Sequence, residues 1–342
     1  MENWHILLVI LVFIVGVLLI VKGGDFFVDS ASWIAEISGI PKLIVGATVV
    51  SFATTLPELM VSSFAAAKGS VDMAAGNAIG SVIANVALIM GLSLVFMPTK
   101  VNKKDYLYKG IMMLLPLVIM FAFGFNGKND GKLNFVASIL LALIFVANMT
   151  ENVIMAKKTI KEGKINSTVQ QNGEAVAVVE EKAKPKTDKR TVIVNIVKFV
   201  LGAAGIVGGA QLLVNSATEL AHRANVPEGI IGLTIVAVGT SLPELVTAIT
   251  AIIKKESSLS VGNIIGANIL NTCMIMPICT FICGKALPVS FRLISFDVPV
   301  AFFVGCLALV PMYIKGKFSR WQGFALLASY VAYLVCLMVF FM

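Results

Sequence analysis

Two glutamates stand inside long apolar stretches of this chain. Glu58 follows Thr54-Thr55-Leu56-Pro57, and Glu244 follows Thr240-Ser241-Leu242-Pro243. An ionised carboxylate within a membrane costs about 2.5 to 3.5 kcal/mol on insertion scales, so a matched pair of them points to a function. Each proline lacks the N–H that would close the turn onto Ala53 or Gly239, which forces a kink or break and leaves carbonyl oxygens without helical donors. Thr54 and Glu58, like Thr240 and Glu244, are spaced to share the face of the disrupted turn. Hydroxyl, carbonyl and carboxylate oxygens together make the ligand set of a hard cation. Two such groups supply the roughly six to eight oxygens that Ca2+ takes, while Mg2+, which dehydrates reluctantly, fits less well. The charges of the two glutamates balance one Ca2+ or two Na+.

Further polar residues follow each glutamate. Asn77, Ser81 and Asn85 form a stripe at helical spacing, and Asn263, Ala267 and Asn271 form its counterpart. Asn77 and Asn263 suit interhelical hydrogen bonding and ion contact equally; for the deeper Asn85 and Asn271, ion contact is the favoured reading. Gly76 and Gly80, like Gly262 and Gly266, are spaced for close helix approach. One offset of 186 residues carries Glu58 onto Glu244, Asn85 onto Asn271 and Gly23 onto Gly209. A constant offset over so many positions means duplication without internal insertions.

The elements that must hold these residues belong in a bilayer. Of 342 residues, 58% are hydrophobic and only 13% charged, and the mean hydropathy is +0.92, which excludes an ordinary water-soluble domain. Ten apolar runs are long enough to span: approximately 5–33, 42–67, 72–97, 107–125, 133–156, 191–221, 229–253, 258–283, 292–314 and 319–342. Lysines and arginines cluster in alternate connections. Lys42, Lys100 to Lys109, the basic run from Lys157 to Arg190, Lys254 with Lys255, and Lys315 to Arg320 fall on one side, which places that side in the cytoplasm and both termini outside the cell membrane. The net charge of +8 therefore orients helices and does not imply nucleic acid. Each half holds an odd number of spans, so the halves are inverted repeats. The expected organisation is an all-α membrane protein of ten transmembrane helices with broken second and seventh helices. Residues 1–156 form the first five-helix repeat, 157–190 a flexible cytoplasmic linker, and 191–342 the second, inverted repeat. The N-terminal run lacks a basic leader and cleavage site and is read as a retained helix. The five cysteines show no paired spacing and are read as buried free thiols.

With these residues in view the chain resembles the sodium/calcium exchangers, in the prokaryotic branch of the cation/calcium exchanger superfamily. Thr54 to Glu58 with Gly76 to Ser81, and Gly239 to Glu244 with Gly262 to Gly266, look like that family's two alpha repeats. The resemblance implies that Glu58 and Glu244 are shared cation carboxylates and that Thr54 and Thr240 are calcium and sodium ligands. It further implies carbonyl donors at Ser51 and Ala237, contributions from Ser81 and Asn85, and a passage lined by Thr55 and Ser241. Long, mobile first and sixth spans are implied as well, which suits Gly23, Gly24, Gly208 and Gly209. Two positions depart from the pattern: Asn271 stands where relatives often carry Asp, and Ala267 where a Ser would supply a sodium oxygen. Asn271 argues for potassium independence, and Ala267 weakens one sodium site.

The expected function is a secondary antiporter that exchanges Na+ for Ca2+ by alternating access and extrudes Ca2+. It performs no covalent chemistry and needs no cofactor; its substrates are the ions, its surroundings membrane lipid, and no obligatory protein partner is evident. A proton/calcium antiporter using the same glutamates is the alternative, followed by a passive cation channel. An intramembrane hydrolase is disfavoured by the lack of HExxH and of GxSxG within the apolar segments.

Overall fold

The structure, a computed structural model, describes residues 5–125, 130–170, 188–224, 239–284 and 286–340. In chain order these form α1 (Ile6–Ser38), α2 (Lys42–Thr54), α3 (Leu56–Ala67), α4 (Val71–Phe96), α5 (Lys103–Gly124), β1 (Asp130–Leu133), α6 (Phe135–Gln170) and α7 (Lys189–Arg223). The second half continues with α8 (Leu242–Ile253), α9 (Ser257–Cys283), β2 (Leu287–Ser290), α10 (Leu293–Lys315) and α11 (Arg320–Phe340). Among the described residues eight helices are long and apolar enough to cross a membrane, and α2 with α3 make a ninth span bent by 47°. The expected run 229–253 is described only from 239 onward, as α8; its first part lies outside the described residues. The chain is a multi-pass membrane protein, and the large apolar side chains it leaves exposed along α1 and α7, such as Leu11, Leu18, Ile193 and Leu201, are those a bilayer covers.

Helix ends follow local chemistry. Gly39 closes α1 in the left-handed conformation at φ 69°, and Pro41 then caps α2. α6 departs from expectation. It runs on to Gln170, well into the stretch read as a linker, because Lys157 to Lys161 are polar yet good helix formers with no proline among them. Residues 171–187 lie outside the described residues, and α7 begins where the Asp188 carboxylate accepts from Thr191 N–H at 2.9 Å.

Packing divides the molecule unequally. One large apolar cluster joins α3 to α6 with α8 to α11, through residues such as Ile79, Ile83, Ile265, Leu309 and Leu326. A smaller one gathers Phe27, Val28 and Ala31 of α1 with Val45 and Val50 of α2 and Ile206 of α7. The two long helices α1 and α7 meet through glycines. A Cβ on Gly23 would come within 2.9 Å of the Gly202 carbonyl, and one on Gly209 within 2.8 Å of the Gly16 carbonyl. Under the repeat offset Gly16 maps to Gly202 and Gly23 to Gly209, so the two contacts are images of each other.

Outside the helices, β1 pairs antiparallel with β2, from Asp130 opposite Ser290 to Leu133 opposite Leu287. A single bridge between Lys100 and Lys317 joins the α4–α5 connection to the α10–α11 connection.

Candidate cation-binding site

The break between α2 and α3 falls at Thr55, so Pro57 does not kink a continuous helix. It occupies the first turn of a new one, where its missing N–H costs nothing. α8 starts in the same way, with Ser241 preceding Leu242 and Pro243 in the first turn. Both glutamates therefore sit in the first turn of a half-helix, whose free amide groups favour negative charge. Leu59 N–H bonds to the Thr55 carbonyl, and Leu245 N–H to the Ser241 carbonyl, each at 3.0 Å.

Glu58 and Glu244 are both fully buried. Their hydrogen bonds cross between the repeats. Thr55 donates to Glu244 Oε1 at 3.1 Å, and Ser241, the counterpart of Thr55, donates to Glu58 Oε1 at 3.4 Å. The second oxygen of each carboxylate, Oε2, is buried without a partner among the described residues. Thr54 is buried at the end of α2, with its hydroxyl 3.3 Å from both the Ser51 carbonyl and Asn263 Oδ1. Ser81 lies 3.3 Å from the Ser241 hydroxyl. Asn85 and Asn271 are fully buried, and neither polar atom of either side chain has a partner among the described residues. Such groups are expensive to leave unsatisfied. Two carboxylate oxygens and two amide oxygens thus stay available to a cation.

Several expectations need adjusting. The Ser51 carbonyl accepts both from Thr55 N–H at 2.9 Å and from the Thr54 hydroxyl, so it is already engaged. Thr240 is only half-buried beside the break, and Ala237 lies outside the described residues. Thr55 and Ser241, expected to line the passage, each bond the opposite glutamate. Gly262 and Gly266 do abut another helix: a Cβ on Gly262 would strike the Leu43 carbonyl, and one on Gly266 would lie 2.6 Å from the Ala47 carbonyl. Asn77 is a hydrogen-bond donor, from Nδ2 to Ser62 at 2.9 Å and to the Glu58 carbonyl at 3.4 Å. Of the cysteines only Cys273 and Cys279 are fully buried, although all five are free.

Known proteins resemble this chain along most of its length. The family model for sodium/calcium exchanger proteins matches residues 8–151 and 194–339. The chain belongs to the sodium/calcium exchanger family. It is 32% identical to the sodium/calcium exchanger MaX1 of Methanosarcina acetivorans, over 96% of this chain and 97% of that protein. It is also 31% identical to the membrane protein MJ0091 of Methanocaldococcus jannaschii, over 93% and 94% respectively. Its fold matches a structure of the sodium-calcium exchanger NCX_Mj soaked with Na+ and Sr2+, with a TM-score of 0.77 and 26% identity over 97% of this chain and 99% of that one.

Sequence reasoning missed parts of this exchanger's site. Asn85 lies in the π-helical turn Ala84–Met90, and Asn271 opens the π-helical turn Asn271–Ile275. Such turns accompany functional sites. Here they widen α4 and α9 at corresponding points. Ser62 was missed because it is one small residue in the Ser62-Ser63-Phe64-Ala65 run of α3. The signal was available: the Asn77 stripe requires an acceptor on the helix beside it.

Proposed function

We propose that this protein exchanges Na+ for Ca2+ across the cell membrane by alternating access, with Glu58 and Glu244 as the carboxylates both ions share. The crossed hydrogen bonds from Thr55 to Glu244 and from Ser241 to Glu58 carry this reading. They hold one oxygen of each acid and leave the other open, so two negative charges face a common space that one Ca2+ or two Na+ neutralise. Thr54, Thr240, Asn85 and Asn271 add neutral oxygens, and Ser81 adds one beside Ser241. The engaged Ser51 carbonyl, and that of Ala237 by analogy, join the ligand set when the adjacent hydroxyls turn toward the ion.

The architecture proposed is ten spans in two inverted repeats, since residues 225–238 offer the apolar length to complete the seventh. The mirrored glycine contacts of α1 and α7 support the inversion. That pair, packed outside the large apolar cluster and reaching the other helices through a smaller one, moves against the rest to expose the site to one side at a time. Lysine-rich connections face the cytoplasm, both termini lie outside, and the inward sodium gradient drives Ca2+ out. Asn271 in place of an acid makes the exchange independent of potassium.

Calcium-45 uptake into sodium-loaded proteoliposomes tests the proposal. Uptake is expected with a sodium gradient at constant pH and absent when lithium or potassium replaces sodium. Uptake driven equally well by a pH gradient without sodium would assign the same glutamates to proton exchange; conductance without any counter-ion would indicate a channel.

A further inference from the structure

Away from the paired glutamates lies a cavity of about 640 Å³, walled by the start of α2, the α4–α5 connection, α6 near Lys158, and the corner between α8 and α9. Five lysines line it, Lys42, Lys100, Lys109, Lys158 and Lys255, against the acids Asp105 and Glu256. Local pairing accounts for part of this charge. Lys42 Nζ lies 2.6 Å from Glu256 and 3.4 Å from Glu36, and the buried Lys109 lies 3.4 Å from Glu151. Lys100 and Lys255 have no ion pair among the described residues. A concave, partly apolar wall concentrates such a positive field and draws an anion.

Lys255 supplies a second, independent observation. It is the sole non-glycine residue with positive φ among those described, at 59°. The corner it occupies is duplicated. Lys255 N–H bonds Ile252 O at 3.0 Å and Glu256 N–H bonds Ala251 O at 2.7 Å, matching Gly69 to Ala66 at 3.0 Å and Ser70 to Ala65 at 2.8 Å. In the first copy the residue at this position is Gly69, at φ 79°, as such a helix end prefers. The second copy holds a lysine in a conformation that strains any residue with a Cβ. Its side chain lines the cavity, and the local turn gives no reason for it. Lys42 is equally particular to this end, since its counterpart is Glu228.

We propose that the cavity binds a phosphate-bearing anion, either an anionic lipid headgroup or a free phosphate, with Lys100 and Lys255 as its adjustable ligands and Lys109 as a fixed charge in the wall. Basic pockets between membrane helices suit such headgroups. Among the described residues no arginine lines the cavity, and lysines, as point charges on flexible stems, are regular ligands of phosphate oxygens.

Thermal unfolding of the purified full chain in neutral detergent tests this, with inorganic pyrophosphate and short-chain phosphatidic acid titrated separately and chloride as the ionic-strength control. Binding to the folded state raises the melting temperature saturably. A shift with phosphatidic acid alone identifies the lipid source, and a shift with pyrophosphate the free anion. Lys255→Gly is expected to melt higher than wild type without ligand, because the turn relaxes, yet to bind about five-fold more weakly. Lys100→Gln with Lys255→Gly should abolish the shift, and Lys68→Gln should keep it. The proposal is overturned if neither ligand shifts wild type beyond chloride, if the double variant keeps the shift, or if Lys255→Gly alone melts lower.

Discussion

Around Glu58, the Ser241 hydroxyl lies between the carboxylate and Ser81, and one turn along α3 Ser62 holds the amide of Asn77. Around Glu244, Thr55 donates to the carboxylate, but the counterpart of Ser81 is Ala267 and that of Ser62 is Ala248. Asn263, the counterpart of Asn77, has an Nδ2 without a partner among the described residues and uses its Oδ1 to accept from Thr54. The helix starts and the charges are duplicated faithfully; the neutral oxygens are not. Charge decides whether a divalent ion is held at all, whereas neutral oxygens decide how many monovalent ions share the space. Under the proposed exchange, the difference between the half-sites would bear on sodium and leave the calcium charge balance untouched.

Removing either charge should erase the distinction between the halves. Glu58→Gln and Glu244→Gln are each expected to lower calcium-45 exchange by about 100-fold or more, since each strips half the charge from a buried site. Wild-type flux in either variant would show that the two acids are not equivalent partners. The crossed hydrogen bonds come next. Thr55→Ala and Ser241→Ala each remove a donor to a buried carboxylate and should weaken calcium binding by about 10-fold or more. Ser241→Ala is expected to be the more damaging, because Ser81 loses its neighbour too; equal binding curves for the two would contradict the asymmetry.

Smaller effects sharpen the comparison further. Ala267→Ser adds a hydroxyl where the second half lacks one and should lower the sodium concentration for half-maximal exchange about two- to five-fold, with Ser81→Ala acting in reverse. Sodium titrations at fixed calcium measure both. Last, Ser62→Ala should destabilise the protein by about 1 kcal/mol as Asn77 loses its acceptor, and Ala248→Ser should stabilise it by about 0.5 to 1 kcal/mol by giving Asn263 one. Melting temperatures in detergent, read for both variants side by side, check the opposite signs.

The duplicated motif alone led to Glu58, Glu244 and a helix break beside each proline, because a buried charge and a missing N–H are both costly in apolar sequence and persist there only where a site uses them. It could not show that Thr55 serves the opposite glutamate. Local spacing places a hydroxyl on a helix face, but the packing of the two half-helices against each other decides which acid it reaches. Similarly, Asn85 and Asn271 were legible as deep polar residues, while the π-helical turns that present them leave no trace in a hydrophobic period. The far end of α6 was lost for a plainer reason. Hydropathy marks where a helix leaves the membrane, and Lys157, Lys158 and Lys161 continue it beyond that point. The β1–β2 pairing joins two short connections whose residues carry no alternation long enough to read.

That small ladder limits how the molecule can move. β1 belongs to the connection between α5 and α6, and β2 to the one between α9 and α10, so the halves are stitched together by backbone bonds; the Lys100–Lys317 bridge adds a second stitch between the corresponding loops. Two bodies sewn at both seams cannot rock as separate shells. Any rearrangement must take place within that sewn frame, and α1 and α7, held to each other by close glycine contacts, carry neither stitch.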